Sequence, residues 1–407
     1  MKILSPAGNF ESLKMAVFNG ADEVYLGIND FNARNNIDGF NLESLKQAVD
    51  FAHIFNVKVN LAINILFNDE EIQRALDVIV EAYNLGVDSF IIQDIGLAKL
   101  VHDNYPQIEI HASTQMGIHN LEGVKALEDI GFKRVVLARE TPLDEIKRIN
   151  KYSNIELEYF VHGALCVSFS GNCYLSSYLC DASGNRGKCK QLCRLPYTLQ
   201  KNGKGIKNGF LLSAKDFDMS GKLDELKSAG IDVLKIEGRA RRPAYVGLVT
   251  REYCKLIKEE RAFLHDRVSL AFNRGFTAGY FDGNGNIISK YQSHIGNYVG
   301  VVEKVNFGKK FKEVFFSSNV KLHPKSTFKI FANEKEKSTI TAFDLVEIAK
   351  NQYRLTTTRN VAQGDEIRLI LDSQLEESIL SKTKKKPVDI EIIAEIDKPT
   401  TIILSTI

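Results

Sequence analysis

The chain has 407 residues, 44% of them hydrophobic, which is enough for two or three packed domains. Its 53 basic residues balance 51 acidic ones, which excludes a uniformly cationic binder of nucleic acid, so any RNA contact needs a local basic patch. No apolar stretch approaches the roughly 18 residues needed to cross a bilayer. The opening MKILSPAGNFESLK reads as strand, turn and helix start, not as a signal peptide, so a cytoplasmic protein without a membrane partner is expected.

In chain order, short apolar runs alternate with amphipathic stretches over the first 260 residues. The strand candidates are Ile3–Ser5, Glu23–Gly27, Lys58–Asn64, Ser89–Gln93, Glu109–Ser113, Arg134–Arg139, Glu156–His162, Leu211–Ser213 and Val233–Ile236. Between them run helical patterns. From Glu70 to Leu85, for example, apolar residues recur at Ile72, Ala75, Leu76, Val78, Ile79 and Ala82. Gly20, Gly86, Gly131 and Gly230 each precede the next strand, where a helix C-cap belongs. Repeated βα units predict an α/β fold, a (β/α)8 TIM-like barrel over residues 1–262. Nine candidates compete for eight places, so one late candidate is peripheral.

A barrel of this kind draws its catalytic residues from the C-terminal strand ends. Polar residues collect there: Asn9, Asn29, Arg34, Asn60, Asn64, Gln93, Asp94, His111, Ser113, Gln115, Arg139, Glu140, His162, Lys215, Asp216, Lys235, Glu237 and Arg239. The bland alternative is that loops after strands are polar in any protein. After Leu264 short β-like runs separated by turns predict a small β-barrel or sandwich over 265–380. A lysine run, Lys384–Lys386, resembles a linker, and 388–407 starts a further β pattern, the expected beginning of a third domain.

Five of the six cysteines lie between Cys166 and Cys193. Cys166, Cys173, Cys189 and Cys193 form C-x6-C-x15-C-x3-C within the loop 163–197, with Cys180 between them. In a reducing compartment such a cluster points to metal rather than disulfides. Four thiolates suit a [4Fe–4S] cluster or a structural zinc, and the missing C-x2-C pairs favour iron–sulfur. Buried, unligated thiols are the alternative. A radical-SAM loop is excluded, because Cys193 is followed by Arg194, Leu195 and Pro196.

These cysteines sit in FVHGALCVSFSGNC and NRGKCKQLCRLPY. With LSPAGNFESLKMAVFNGADEVYLG, HASTQMGIHN, RVVLARE, LLSAKDF, KIEGRARRPAYV and FNRGFTAGYF they resemble peptidase family U32, closely over about 1–300 and loosely beyond. The resemblance implies RNA chemistry more than proteolysis. Its RNA-hydroxylating branch modifies carbon 5 of a tRNA wobble uridine or a large-subunit rRNA cytidine and depends on prephenate. Other relatives carry a [4Fe–4S] cluster on four cysteines, some of them in complexes with protein partners.

On that reading His111, Gln115, Lys235, Glu237 and Arg239 are the candidate catalytic residues. Arg34, Arg139 and Arg194 are candidates for holding prephenate, since guanidinium forks fit carboxylates. Arg241 and Arg242 are candidates for RNA phosphates. The alternative for each arginine is a salt bridge to a barrel glutamate. A peptidase needs an activated nucleophile or a catalytic metal. Neither HExxH nor GxSxG occurs, and the one nearby Cys–His option, His162 with Cys166, would take a ligand from the metal site.

Overall fold

The structure, a computed structural model, describes residues 1–33, 39–258, 268–283 and 285–385. Arg34 and the segment 388–407 lie outside the described residues.

Seven strands follow one another, β1 (Lys2–Pro6), β2 (Glu23–Leu26), β3 (Lys58–Ile63), β4 (Ser89–Ile92), β5 (Ile110–Ala112), β6 (Arg134–Val136) and β7 (Glu156–Ala164). Each pairs in parallel with the next. Two exposed strands, β8 (Tyr197–Lys201) and β9 (Lys204–Gly209), then form a separate hairpin. After β10 (Asp216–Asp218), strand β11 (Val233–Ile236) pairs in parallel with both β7 and β1 and closes an eight-stranded barrel.

The helices between these strands are α1 (Phe10–Phe18), α2 (Leu42–Ile54), α3 (Asp69–Asn84), α4 (Ile95–Asn104), α5 (Leu121–Ile130), α6 (Leu143–Tyr152), the short α7 (Leu175–Cys180), α8 (Leu223–Ser228) and α9 (Pro243–Ile257). Local chemistry starts and stops them. Asn9, Asn41, Asp94 and Asn120 accept a hydrogen bond from an amide in the first turn of α1, α2, α4 and α5. Two expected mouth residues, Asn9 and Asp94, are thus helix caps. Gly20, Gly86, Gly131 and Gly230 all take φ between 88° and 103°, the left-handed turn that ends a helix before the next strand.

The ninth strand candidate is corrected. Leu211–Ser213 is a turn, and the neighbouring strand is β10, which runs antiparallel to β7 outside the barrel. A parallel β12 (Phe276–Thr277) pairs with β10.

The expected domain boundary also moves. Ala271, Phe281 and Ile287 are buried in the barrel's own core, and Leu143 N donates to Phe281 O (3.3 Å). The segment up to about residue 290 therefore packs with the barrel, not with the β domain. Seven antiparallel strands follow: β13 (Asn297–Phe307), β14 (Lys312–Ser317), β15 (Ser326–Ala332), β16 (Lys335–Ala342), β17 (Val346–Ala349), β18 (Gln352–Thr357) and β19 (Glu366–Leu371). They form one sheet in the order 16-15-19-13-14-18-17, curled around a separate core that includes Phe316, Phe328, Ile330 and Leu355. The helix Ser373–Leu380 then returns to the barrel and buries Ile379 in its core.

Candidate active site

The floor of the barrel is an ionic network. Arg134 donates two hydrogen bonds to Glu23 (2.7 and 2.9 Å) and one each to Glu156 (2.5 Å) and Glu158 (3.2 Å). Burial pushes the Glu23 carboxyl up, but the hydrogen bonds and charge of Arg134 outweigh it and bring it down to about 2. Above Glu158 lies Lys235, whose Nζ donates to Glu158 Oε1 (2.6 Å) and sits 4.5 Å from the centre of the Tyr25 ring. Lys235 is 4% exposed, and burial lowers its pKa against the pull of Glu158.

His111 belongs to this interior as well, which corrects its expected place at the mouth. It is 1% exposed, with Nε2 2.7 Å from Glu109 Oε1 and Nδ1 3.3 Å from Ser89 Oγ. Burial, partly opposed by the Glu109 hydrogen bond, lowers its pKa. The reason is register: side chains of a strand alternate between the interior and the helix layer, and His111 falls on the inward set one layer below the rim.

The mouth itself is built by Gln115, Arg139, Glu237 and Arg239. Arg139 Nη2 lies 3.3 Å from Glu237 Oε2, and its guanidinium stacks 4.0 Å from the centre of the Phe160 ring. Arg239, 7% exposed, donates toward Asn32 Oδ1 (3.5 Å) and faces the Tyr25 ring at 5.7 Å. Close backbone approach holds it there. A Cβ on Gly8 would stand 1.9 Å from Arg239 O, and one on Gly27 would stand 2.6 Å from Arg239 Nη1. Gln115 Oε1 accepts from Asn64 Nδ2 (3.2 Å), two strands along the rim. Sequence reading missed the two rings, Tyr25 and Phe160, that carry the guanidiniums; their inward register was the available signal.

The cysteine-rich segment leaves the C-terminal end of β7 and crosses this mouth. Ser170 ties it to the rim: its amide and hydroxyl donate to Glu140 (2.9 and 2.6 Å), and its hydroxyl accepts from Arg139 N (3.2 Å). Arg186 pairs with Glu71 (2.6 Å) at the head of α3. Arg194, expected to hold a carboxylate, is spent on the fold. It is 8% exposed and donates to Leu165 O (2.9 Å), Ser213 Oγ (3.1 Å) and Ala214 O. Arg241 and Arg242, expected to meet phosphates, face the junction with the C-terminal helix: Arg241 stacks on Phe272 (3.7 Å), and Arg242 pairs with Glu376 (2.8 Å).

The cysteines are free thiols. Burial raises the pKa of Cys193; Arg194 lowers it, and the thiols of Cys166, Cys189 and Cys173 raise it further, so each of these three stands within electrostatic reach of Cys193. Among the described residues no three His, Cys, Asp or Glu side chains close on a single metal ion. Four thiols without oxygen or nitrogen donors suit an iron–sulfur cluster or a structural zinc, and a cluster's body spreads its ligands wider than the metal–sulfur bonds of about 2.3 Å around one zinc.

Comparison with known proteins adds the family. The chain is 38% identical over 324 residues to the 23S rRNA 5-hydroxycytidine C2501 synthase of Escherichia coli, covering 75% of this chain and 49% of that protein. It is 36% identical to tRNA hydroxylation protein P1 of Bacillus subtilis, covering 63% of each. It is also 34% identical to a collagenase of Porphyromonas gingivalis, covering 69% of this chain and 73% of that protein. The chain thus spans about half the length of the first of these relatives and less than two thirds of the second. A family model, Peptidase family U32, matches residues 8–290, the barrel together with the segment that packs on it, and the chain belongs to that family.

Proposed function

We propose that this protein hydroxylates carbon 5 of a pyrimidine in tRNA or large-subunit rRNA, with prephenate as co-substrate and a [4Fe–4S] cluster on Cys166, Cys173, Cys189 and Cys193. One observation carries the reading: a mouth in which Arg139 pairs with Glu237, and Arg239 lies against Asn32 and Tyr25, is hydrogen-bonded through Ser170 to a four-cysteine segment. That it occurs in a chain similar to named RNA-hydroxylation proteins supports the choice of substrate.

A base must leave its stack to enter such a mouth. Gln115 and Asn64 offer amide groups to a base edge, and Arg139 and Arg239 offer forks to the carboxylates of prephenate. Glu237 sits beside Arg139 to hold or accept a proton. The cluster, when bound, supplies one-electron redox chemistry at the rim. Lys235 and His111 support the mouth from below without reaching substrate. The test is nucleoside mass spectrometry of RNA from a strain lacking the gene. A 5-hydroxypyrimidine or a derivative of one disappears, and blocking prephenate synthesis gives the same loss. Replacing Arg239 or Gln115 by alanine abolishes the modification while the protein keeps its iron and its melting temperature. Unchanged RNA in the deletion strain overturns the reading.

A hydrolase reading has one structural feature in its favour. Ser89, His111 and Glu109 are linked in the order of a Ser–His–acid triad. Ser89 and His111 are each 1% exposed inside the barrel, so a peptide cannot reach the hydroxyl. Gelatin cleavage that stops on Ser89→Ala or Cys166→Ser, with RNA unchanged in the deletion strain, would restore it.

A further inference from the structure

We infer that the cysteine-rich insert is also the docking surface for RNA, taking single-stranded nucleotides beside the target base; this rests on the RNA reading above. Charge is the first observation. Between Leu165 and Phe210 there are seven basic residues and one acidic residue, Asp181, in a chain that is otherwise balanced. Arg186 and Arg194 are committed to the fold. The other five are lysines, all exposed, and among the described residues none pairs with a carboxylate. An unneutralised cationic strip of this kind attracts a phosphate backbone.

The second observation is independent of charge. Tyr174 and Tyr178 stand one helical turn apart, linked by the hydrogen bond from Tyr178 N to Tyr174 O (2.9 Å), and are 69% and 87% exposed. Two rings held outward at this spacing form a platform on which successive bases stack. Lys190 is tied to the same helix, its amide donating to Ser176 Oγ (3.1 Å). Lys188 lies two residues earlier, and the β8–β9 hairpin extends the strip with Lys201, Lys204 and Lys207.

Placement ties the platform to chemistry. The insert crosses the ends of three barrel strands: Arg186 reaches Leu66 O after β3, Gly171 lies against Gln115 after β5, and Ser170 binds Glu140 after β6. A strand stacked on the tyrosines therefore delivers its neighbouring nucleotide to the mouth. Duplex RNA offers no free base faces to such a surface.

The experiment uses the full chain, purified without oxygen, and a short fluorescein-labelled single-stranded pyrimidine-rich RNA, with the matching duplex alongside. The native protein binds the single strand more tightly than the duplex. Tyr178→Ala weakens binding about fivefold or more, and adding Tyr174→Ala weakens it again, whereas Tyr→Phe at both positions retains it. Lys201→Gln, Lys204→Gln and Lys207→Gln together lower the slope of log affinity against log salt by about two. Melting temperature and absorbance near 400 nm stay unchanged in Tyr178→Ala, which separates docking from folding and cluster loss. If native protein binds RNA and the alanine variants bind it equally well, the docking inference falls and the RNA reading stands. If those variants bind and modify RNA normally when purified but fail in cells, the patch takes a protein instead, and the inference also falls. If native protein binds no RNA and the deletion strain keeps its modified bases, the RNA reading itself fails.

Discussion

His294 illustrates how a single buried ring makes stability depend on pH. Its Nδ1 accepts from Asn273 N (3.0 Å), which leaves Nε2–H to donate to Ile370 O (3.2 Å), so the neutral tautomer bridges the barrel segment and β19. Burial lowers its pKa from 6.5 to about 4; the carbonyl oxygens of Asn273 (3.2 Å) and Ile370, which would accept from a protonated ring, oppose the shift, and Lys329 and Arg241 add to it. Unfolded chains take up the proton below pH 6.5, while folded ones resist until about pH 4. Stability is therefore fully present above pH 6.5 and falls by roughly 3 kcal/mol as pH drops toward 4. Glu23, held down to about 2, loses its contribution in a second, more acidic window below its ordinary 4.5. Melting temperature measured against pH should show the first decline in the native protein and a flatter curve in His294→Asn. An equally steep curve in that variant would place the titrating group elsewhere. None of this was legible in the sequence, where His294 has no pattern around it. His111 was legible as a polar strand residue, but its depth in the barrel depended on register, which a three-residue strand does not reveal.

At the scale of elements, the barrel strands announced themselves as apolar runs, most of them followed by an amphipathic helix, and four of those helices carry a side-chain cap. The insert did not, since its structure comes from tertiary ties rather than periodicity. Arg194 is the clearest tie. One guanidinium satisfies Leu165 O on the way out and Ala214 O on the way back, and so pins both ends of the excursion. Its sequence context, CRLPY, carries no sign of this. Arg194→Ala leaves those two carbonyls without their donor, at a cost of about 1–3 kcal/mol each. Limited proteolysis should then cut between 165 and 214 well before the barrel. Arg194→Lys should rescue only in part, because an ammonium lacks the planar fork that serves two diverging carbonyls. If neither variant speeds cleavage of the insert, this anchor is not what orders it.

The whole molecule is less divided than its sequence texture suggests. The change of pattern after Leu264 marks where βα repetition ends, not where the barrel's packing ends. Irregular chain that packs by shape has no period to detect. Strands and bridges zip 274–289 to 213–217: Arg274 pairs with Asp216 (2.7 Å), Lys215 N donates to Ile287 O (2.6 Å), and Ser289 N donates to Ser213 O (2.7 Å). The helix Ser373–Leu380 then crosses the β domain's exit and seats Ile379 against Gly247 of α9, where any Cβ would stand 2.6 Å from it. A chain ended at residue 264 loses Phe281, Ile287 and Ile379 from the barrel core, each 5% exposed or less. At about 1.5–3 kcal/mol per buried side chain that is roughly 5–9 kcal/mol, comparable with the whole stability of an ordinary domain. Such a chain should aggregate or elute as an expanded species in size-exclusion chromatography. One ended at 290 should recover the barrel with a lowered melting temperature, and one ended at 385 should melt as a single cooperative unit through the contact of the last helix with α9. A stable, monomeric 1–264 fragment with native circular dichroism would show instead that the barrel closes without these later segments, and that the boundary read from the sequence is the folding boundary after all.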